Sequence, residues 1–121
     1  MNDDTVTEFF SAYRKALLDR DTRAVTGMYA VPALIVFPGN SIAVTDAQQT
    51  ADFFASAWKQ YDGVDDAEPT IAVMAEAPGS TWVDVTWTHG GRAQERFCYQ
   101  LVEEGADLRI AVLTPMALPG T

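Results

Sequence analysis

Two carboxylates and a phenol are the groups in this 121-residue chain best placed to do chemistry. Asp84 and Glu95 flank the pair Gly90-Gly91 within a run of alternating polar and apolar residues. Two glycines between such runs predict a two-residue hairpin, because both central positions of the favoured turn need positive φ. That turn pairs His89 with Arg92, Thr86 with Glu95, Asp84 with Phe97 and Trp82 with Tyr99. One face then carries Trp82, Asp84, Thr86, Glu95, Phe97 and Tyr99. The other carries Val83, Val85, Trp87, His89, Arg96, Cys98 and Gln100. If the Asp84 face lines a semi-apolar pocket, desolvation raises the carboxyl pKa and suits it to general acid–base transfer. The alternative is that Asp84 is exposed, or satisfied by Thr86 or an arginine. Glu95, a diagonal neighbour, either shares a proton or a cation with Asp84 or occupies a solvated rim.

Tyr13 is the third candidate, as a hydrogen-bond donor to a ligand oxygen; the competing role is a core tyrosine satisfied by backbone. Phe54, Trp58 and Tyr99 are aromatic enough for a ligand platform and equally suited to a core. His89 is the only histidine and sits at the hairpin end, where exposure is expected. Cys98 is the only cysteine and reads as a small buried hydrophobe in a strand. One histidine and one cysteine do not make a zinc site, and no glycine-rich phosphate loop opens a helix, so no metal and no cofactor are expected. No motif in the chain identifies a reaction.

Three helices and a series of strands must position these residues. Thr5-Val6-Thr7-Glu8 predicts a capping box. Behind it Val6, Phe9, Phe10, Tyr13 and Leu17 form an apolar stripe at helical spacing. A short helix carrying Val25, Met28 and Tyr29 must end before Pro32. Leu34 to Phe37 is β-rich, Pro38-Gly39 is a turn, and Ile42 to Val44 returns as a short strand. Thr45-Asp46-Ala47-Gln48 predicts a second capping box, opening a helix with Phe54, Ala57, Trp58 and Tyr61 on one face. Strands over 70–77, 81–89, 93–102 and 108–113, joined by short glycine-containing turns, predict an antiparallel meander.

Length suits one domain, residues 1–121. With 48% hydrophobic and 21% charged residues the chain can build a core. A net charge of −9 disfavours nucleic acid and anionic membrane surfaces as partners. The acidic start lacks the features of a signal peptide, and no apolar run is long enough to span a bilayer, so a cytoplasmic location is expected.

The element order resembles the nuclear transport factor 2-like superfamily, which includes ketosteroid isomerases, SnoaL-like polyketide cyclases and limonene epoxide hydrolases. The local cues are Ala24 to Ala30 in the second helix and Leu108 to Pro115 in the last strand. The resemblance covers about the whole chain, as a single SnoaL-like domain. It implies an α+β fold: three N-terminal helices on a strongly curved antiparallel sheet, a cone-shaped barrel with an internal pocket. It puts the Tyr99 face on the concave side, so Phe37, Phe54, Trp58, Trp82, Glu95, Phe97 and Tyr99 are the expected pocket lining.

In the ketosteroid isomerases a helix tyrosine and a sheet acid form the oxyanion hole, and a carboxylate near the end of the first strand is the base. Tyr13 matches the tyrosine, Tyr99 falls near the acid, and Phe37 stands at the base, where it cannot take a proton. Steroid isomerisation is therefore not expected, nor is the Asp-Arg-Asp chemistry of the epoxide hydrolases. The aromatic lining without a catalytic set points to a small-molecule ligand, apolar or aromatic, and the resemblance implies a homodimer. The alternatives are an isomerase, cyclase or hydratase with Asp84 as base and Tyr13 as donor, or a dimeric interaction module without catalysis, with Val83, Val85 and Trp87 as its patch.

Overall fold

The computed structural model describes residues 2–118. Helix α1 spans Asp3–Leu18 and α2 spans Thr22–Gly27. Strands β1 (Tyr29–Ile35) and β2 (Ile42–Val44) follow, then α3 (Ala47–Ala57), which runs into a single 3₁₀ turn at Trp58–Tyr61. The chain ends in β3 (Glu68–Ala77), β4 (Ser80–His89), β5 (Arg92–Glu104) and β6 (Asp107–Pro115).

Both helix starts differ from expectation by a small slip. The first cap is Asn2, whose side chain accepts from the Thr5 amide, so α1 begins before the Thr5 box that the sequence suggests. Asparagine is as good a cap as threonine, and two acidic residues in the first turn favour the earlier start. The α3 box is real but sits one residue later: Asp46 accepts from the Gln49 amide, and Gln49 reaches back to Asp46. The second helix stops at Gly27, and Tyr29 already belongs to β1. Pro32 lies inside that strand rather than beyond it.

The sheet is six-stranded, ordered β2-β1-β6-β5-β4-β3, curved and unclosed. The meander β3 to β6 is antiparallel as predicted. The β1–β6 pairing is parallel, so the sheet is mixed rather than purely antiparallel. Register shifts interrupt four of the five strand pairings. Such bulges bend a strand and add twist, which is how a sheet curls around a core.

One bulge overturns the predicted hairpin register. The turn is a two-residue one, with Gly90 and Gly91 at φ 63° and 82° and His89 opposite Arg92. Thr88 faces Ala93, but Trp87 then faces Glu95, leaving Gln94 as the extra residue. The Gln94 side chain donates to the His89 carbonyl at 3.0 Å and braces the bulge. Beyond it every residue of β4 changes partner: Val85 faces Phe97, Asp84 faces Cys98, and Val83 faces Tyr99. Val83, Val85 and Trp87 are consequently core residues, 0%, 0% and 6% exposed, and form no outward patch.

The core lies between the helices and the concave face. Val6, Phe10 and Tyr13 of α1 and Phe54 of α3 pack with Tyr99, Leu101, Ile110 and Leu113 of the sheet. Each fully buried large side chain contributes roughly 1.5–3 kcal/mol.

Candidate functional site

The concave face does not fill completely. A cavity of about 660 Å³ remains between α1, α3, the β1–β2 connection and strands β4 to β6. Its inner wall is aromatic. Phe37 and Phe53 are 5.8 Å apart between ring centroids, Phe37 and Phe97 6.1 Å, and Phe97 and Tyr99 6.0 Å. Trp87 lies beside them on β4, and Tyr13 closes the α1 side. The rim is polar, with exposed Asn40, Asp52, Ser56 and Gln60.

Phenols occupy the deep end. Tyr13 and Tyr29 share a hydrogen bond of 2.7 Å between hydroxyls, and both rings are buried. The Trp87 indole donates to the Tyr99 hydroxyl at 3.1 Å. Burial pushes all three phenol pKa values well up, so they stay protonated and act only as neutral donors and acceptors. Tyr13 and Tyr99 face the cavity; Tyr29 stands behind Tyr13 and takes up its hydroxyl.

Glu95 is the half-buried carboxylate of the site. Its neighbour Tyr61 places a hydroxyl 3.5 Å from Oε1, the outer limit of a hydrogen bond. Burial raises the Glu95 pKa, and the Tyr61 contact and nearby His89 offset part of that rise. The Tyr61 phenol is itself pushed up, by burial first and by Glu95 second. His89 lines the cavity, because the hairpin end curls over it instead of standing clear.

Asp84 is not in the cavity. The bulge at Gln94 turns it to the outer face, where Arg96 grips it with Nε 3.0 Å from Oδ1 and Nη2 2.6 Å from Oδ2. Those hydrogen bonds hold its carboxyl below the usual range, the reverse of what a base at neutral pH needs. The structure therefore separates Asp84 from Tyr13 rather than joining them. Trp82 moves to the outer face with Asp84. Trp58 lies outside the lining, its indole donating to the Thr22 hydroxyl at 2.8 Å, between α3 and α2. Cys98 is also on the outer face, and burial raises its thiol pKa. Phe37, Phe54, Glu95, Phe97 and Tyr99 do line the cavity.

Residues that sequence reasoning left out are Phe53, Tyr61, Trp87, Leu113 and the arginines Arg14 and Arg20. A signal for Trp87 existed: Val83, Val85 and Trp87 are more apolar than Trp82, Asp84 and Thr86, which marks the inward set of a one-sided strand. Among the described residues no cluster of His, Cys, Asp and Glu could hold a metal ion. Among the described residues no helix is long and apolar enough to cross a membrane.

No protein-family model matches the chain, and no curated protein matches it in sequence. Solved structures do match. An NTF-2-like protein of unknown function from Shewanella oneidensis MR-1 superposes with a TM-score of 0.75 at 12% identity, over 95% of this chain and 98% of that one. The fold is that of the nuclear transport factor 2-like proteins. An uncharacterized cystatin-like-fold protein from Caulobacter vibrioides matches with a TM-score of 0.70 at 18% identity, covering 96% and 89% of the two chains. A de novo designed protein with a curved β-sheet matches at 0.67 and 11% identity, over 93% and 99%. A fold does not fix an activity, so any activity must come from the side chains in the cone.

Proposed function

We propose that the protein binds a small, predominantly apolar or aromatic molecule in the cone cavity. The observation that carries this reading is the aromatic inner wall of Phe37, Phe53, Trp87, Phe97 and Tyr99 behind a polar rim. A cavity of about 660 Å³ falls in the range of small-molecule sites. Thermal-shift screening against apolar and aromatic compounds tests it. A ligand at a hundred times its Kd stabilises the folded state by about 2.7 kcal/mol, an easily read rise in Tm. A panel of such compounds that leaves Tm unmoved speaks against the reading.

One observation favours a second reading, acid–base catalysis of an isomerase, cyclase or hydratase type. Glu95 is a carboxylate inside the cavity whose pKa is raised by burial, and Tyr61 and Tyr13 supply hydroxyls on neighbouring walls. In this reading Glu95, not Asp84, moves the proton. Deuterium exchange into the benzylic α-position of a ketone such as 2-tetralone tests it. Exchange should be faster with the protein than with buffer and should vanish in Glu95→Gln; equal rates in both proteins count against it.

A further inference from the structure

We infer that the cavity selects a molecule joining an aromatic body to a primary ammonium group, with the ammonium seated on Glu95. This rests on the reading of the cavity as a small-molecule site and names the ligand's chemistry.

Among the described residues Glu95 has no salt-bridge partner, and His89 nearby in the cavity lining answers only part of its charge. Oε1 meets only the Tyr61 hydroxyl, at 3.5 Å, and Oε2 accepts no hydrogen bond from any described residue. Among the described residues no lysine or arginine pairs with it. The two guanidinium groups that reach the cavity are committed elsewhere. Arg14 pairs with Asp66 and Glu68 and donates to the Ala67 carbonyl. Arg20 donates to the Leu18, Tyr61 and Val64 carbonyls. They tie α1 and the turn after it to the stretch from the 3₁₀ turn to the start of β3, and neither is free for a ligand.

A half-buried carboxylate without a counter-ion is costly, and a cation relieves that cost. An ammonium there could donate to the open Oε2 while its carbon body lies against aromatic faces. Trp87 is the direct cross-strand partner of Glu95, with Tyr61 at its side and Phe97 two residues along the same strand. Aromatic faces attract cations, tryptophan most strongly. An anionic ligand would meet the Glu95 charge with no uncommitted lysine or arginine beside it and only His89 nearby. A neutral one would desolvate that charge further without answering it. The net charge of −9 also steers cations toward the chain.

Isothermal titration of the full chain with tryptamine, its neutral counterpart tryptophol and the anion indole-3-propionate tests the inference. We expect tryptamine to bind at least about tenfold tighter than tryptophol, with indole-3-propionate weakest. In Glu95→Gln tryptamine should fall to the level of tryptophol, and tryptophol should hold its affinity. Tryptophol binding as tightly as tryptamine overturns the ammonium inference while leaving a small-molecule cavity intact. A tryptamine preference that survives in Glu95→Gln overturns the assignment to Glu95. Failure of all three indoles to bind overturns the inference, and if the aromatic panel above also fails, the cavity reading falls with it. The three-ligand comparison on the unaltered chain decides the matter even where the variant does not fold.

Discussion

The hydroxyl pair of Tyr13 and Tyr29 offers a direct test of how the deep end of the cavity is held. The two oxygens lie 2.7 Å apart, and their residues are 2% and 4% exposed. Tyr13→Phe or Tyr29→Phe changes no packing volume of consequence but takes from the other hydroxyl its 2.7 Å partner, leaving only Tyr99 near that of Tyr13. Stranding a buried polar group costs roughly 1–3 kcal/mol, whereas removing both partners is close to neutral. Each single variant should therefore lose about that much, and the double variant no more than one single. The coupling energy should be on the order of 1–2 kcal/mol, larger than the roughly 0.3–0.5 kcal/mol scatter of independent sites. Urea unfolding read by tryptophan fluorescence measures it, provided the m-value stays constant across the four proteins. Two single losses that simply add in the double variant refute the reasoning, because the hydroxyls would then be finding other partners.

Glu95→Gln should raise Tm near neutral pH and leave it unchanged at about pH 3.5. Burial raises the folded pKa above the unfolded value of about 4.3, so the folded state holds the proton longer and stability declines as pH climbs from the unfolded to the folded pKa. Asp84→Asn should do the opposite. Its folded pKa is lowered by Arg96, so its contribution is present above about pH 3.9 and lost as pH falls through the folded pKa. Melting curves at pH 7 and about pH 2 should show a small deficit for Asp84→Asn that closes in acid, with ligand-induced stabilisation matching the parent protein throughout. Phe54→Ala removes a ring 5.4 Å from Tyr29 and 5.7 Å from Trp58, and chemical denaturation should show a loss of roughly 3–5 kcal/mol.

Much of the fold was legible because its punctuation is local. Gly79, Gly90, Gly91 and Gly105 all take positive φ at the turns that separate β3 to β6, and the strands between them follow. The stripe of Val6, Phe10 and Tyr13 is a helical period that only burial explains. The site was only half legible, and Gln94 is the reason. The turn geometry was right, but one extra residue a few positions away reversed the facing of β4 against β5. Glu95, Phe97 and Tyr99 on the far side of the bulge kept the face assigned to them, while Trp82 and Asp84 exchanged places with Val83, Val85 and Trp87. A bulge has no short-range signature comparable to a glycine pair. The parallel pairing of β1 was invisible for another reason: it joins segments some eighty residues apart, and Pro32 within the strand reads locally as a stop.

That pairing sets the order in which the domain can assemble. Strand β1 bonds only the short β2 and β6, through contacts such as the Ile110 amide on the Met28 carbonyl and the Val36 amide on the Leu113 carbonyl, both 2.8 Å. As the chain emerges from synthesis, the first hairpin must wait for the last strand to be made. Until then Phe10 and Tyr13 can rest on Trp87 and Tyr99 of the partial meander, but β1 has no link to that sheet. The meander can form early from neighbours, but the cone closes in one late, long-range step. A chain cut before Asp107 would keep the β3–β5 meander and its contacts to α1, but would lose the one strand that joins β1 and β2 to the rest of the sheet.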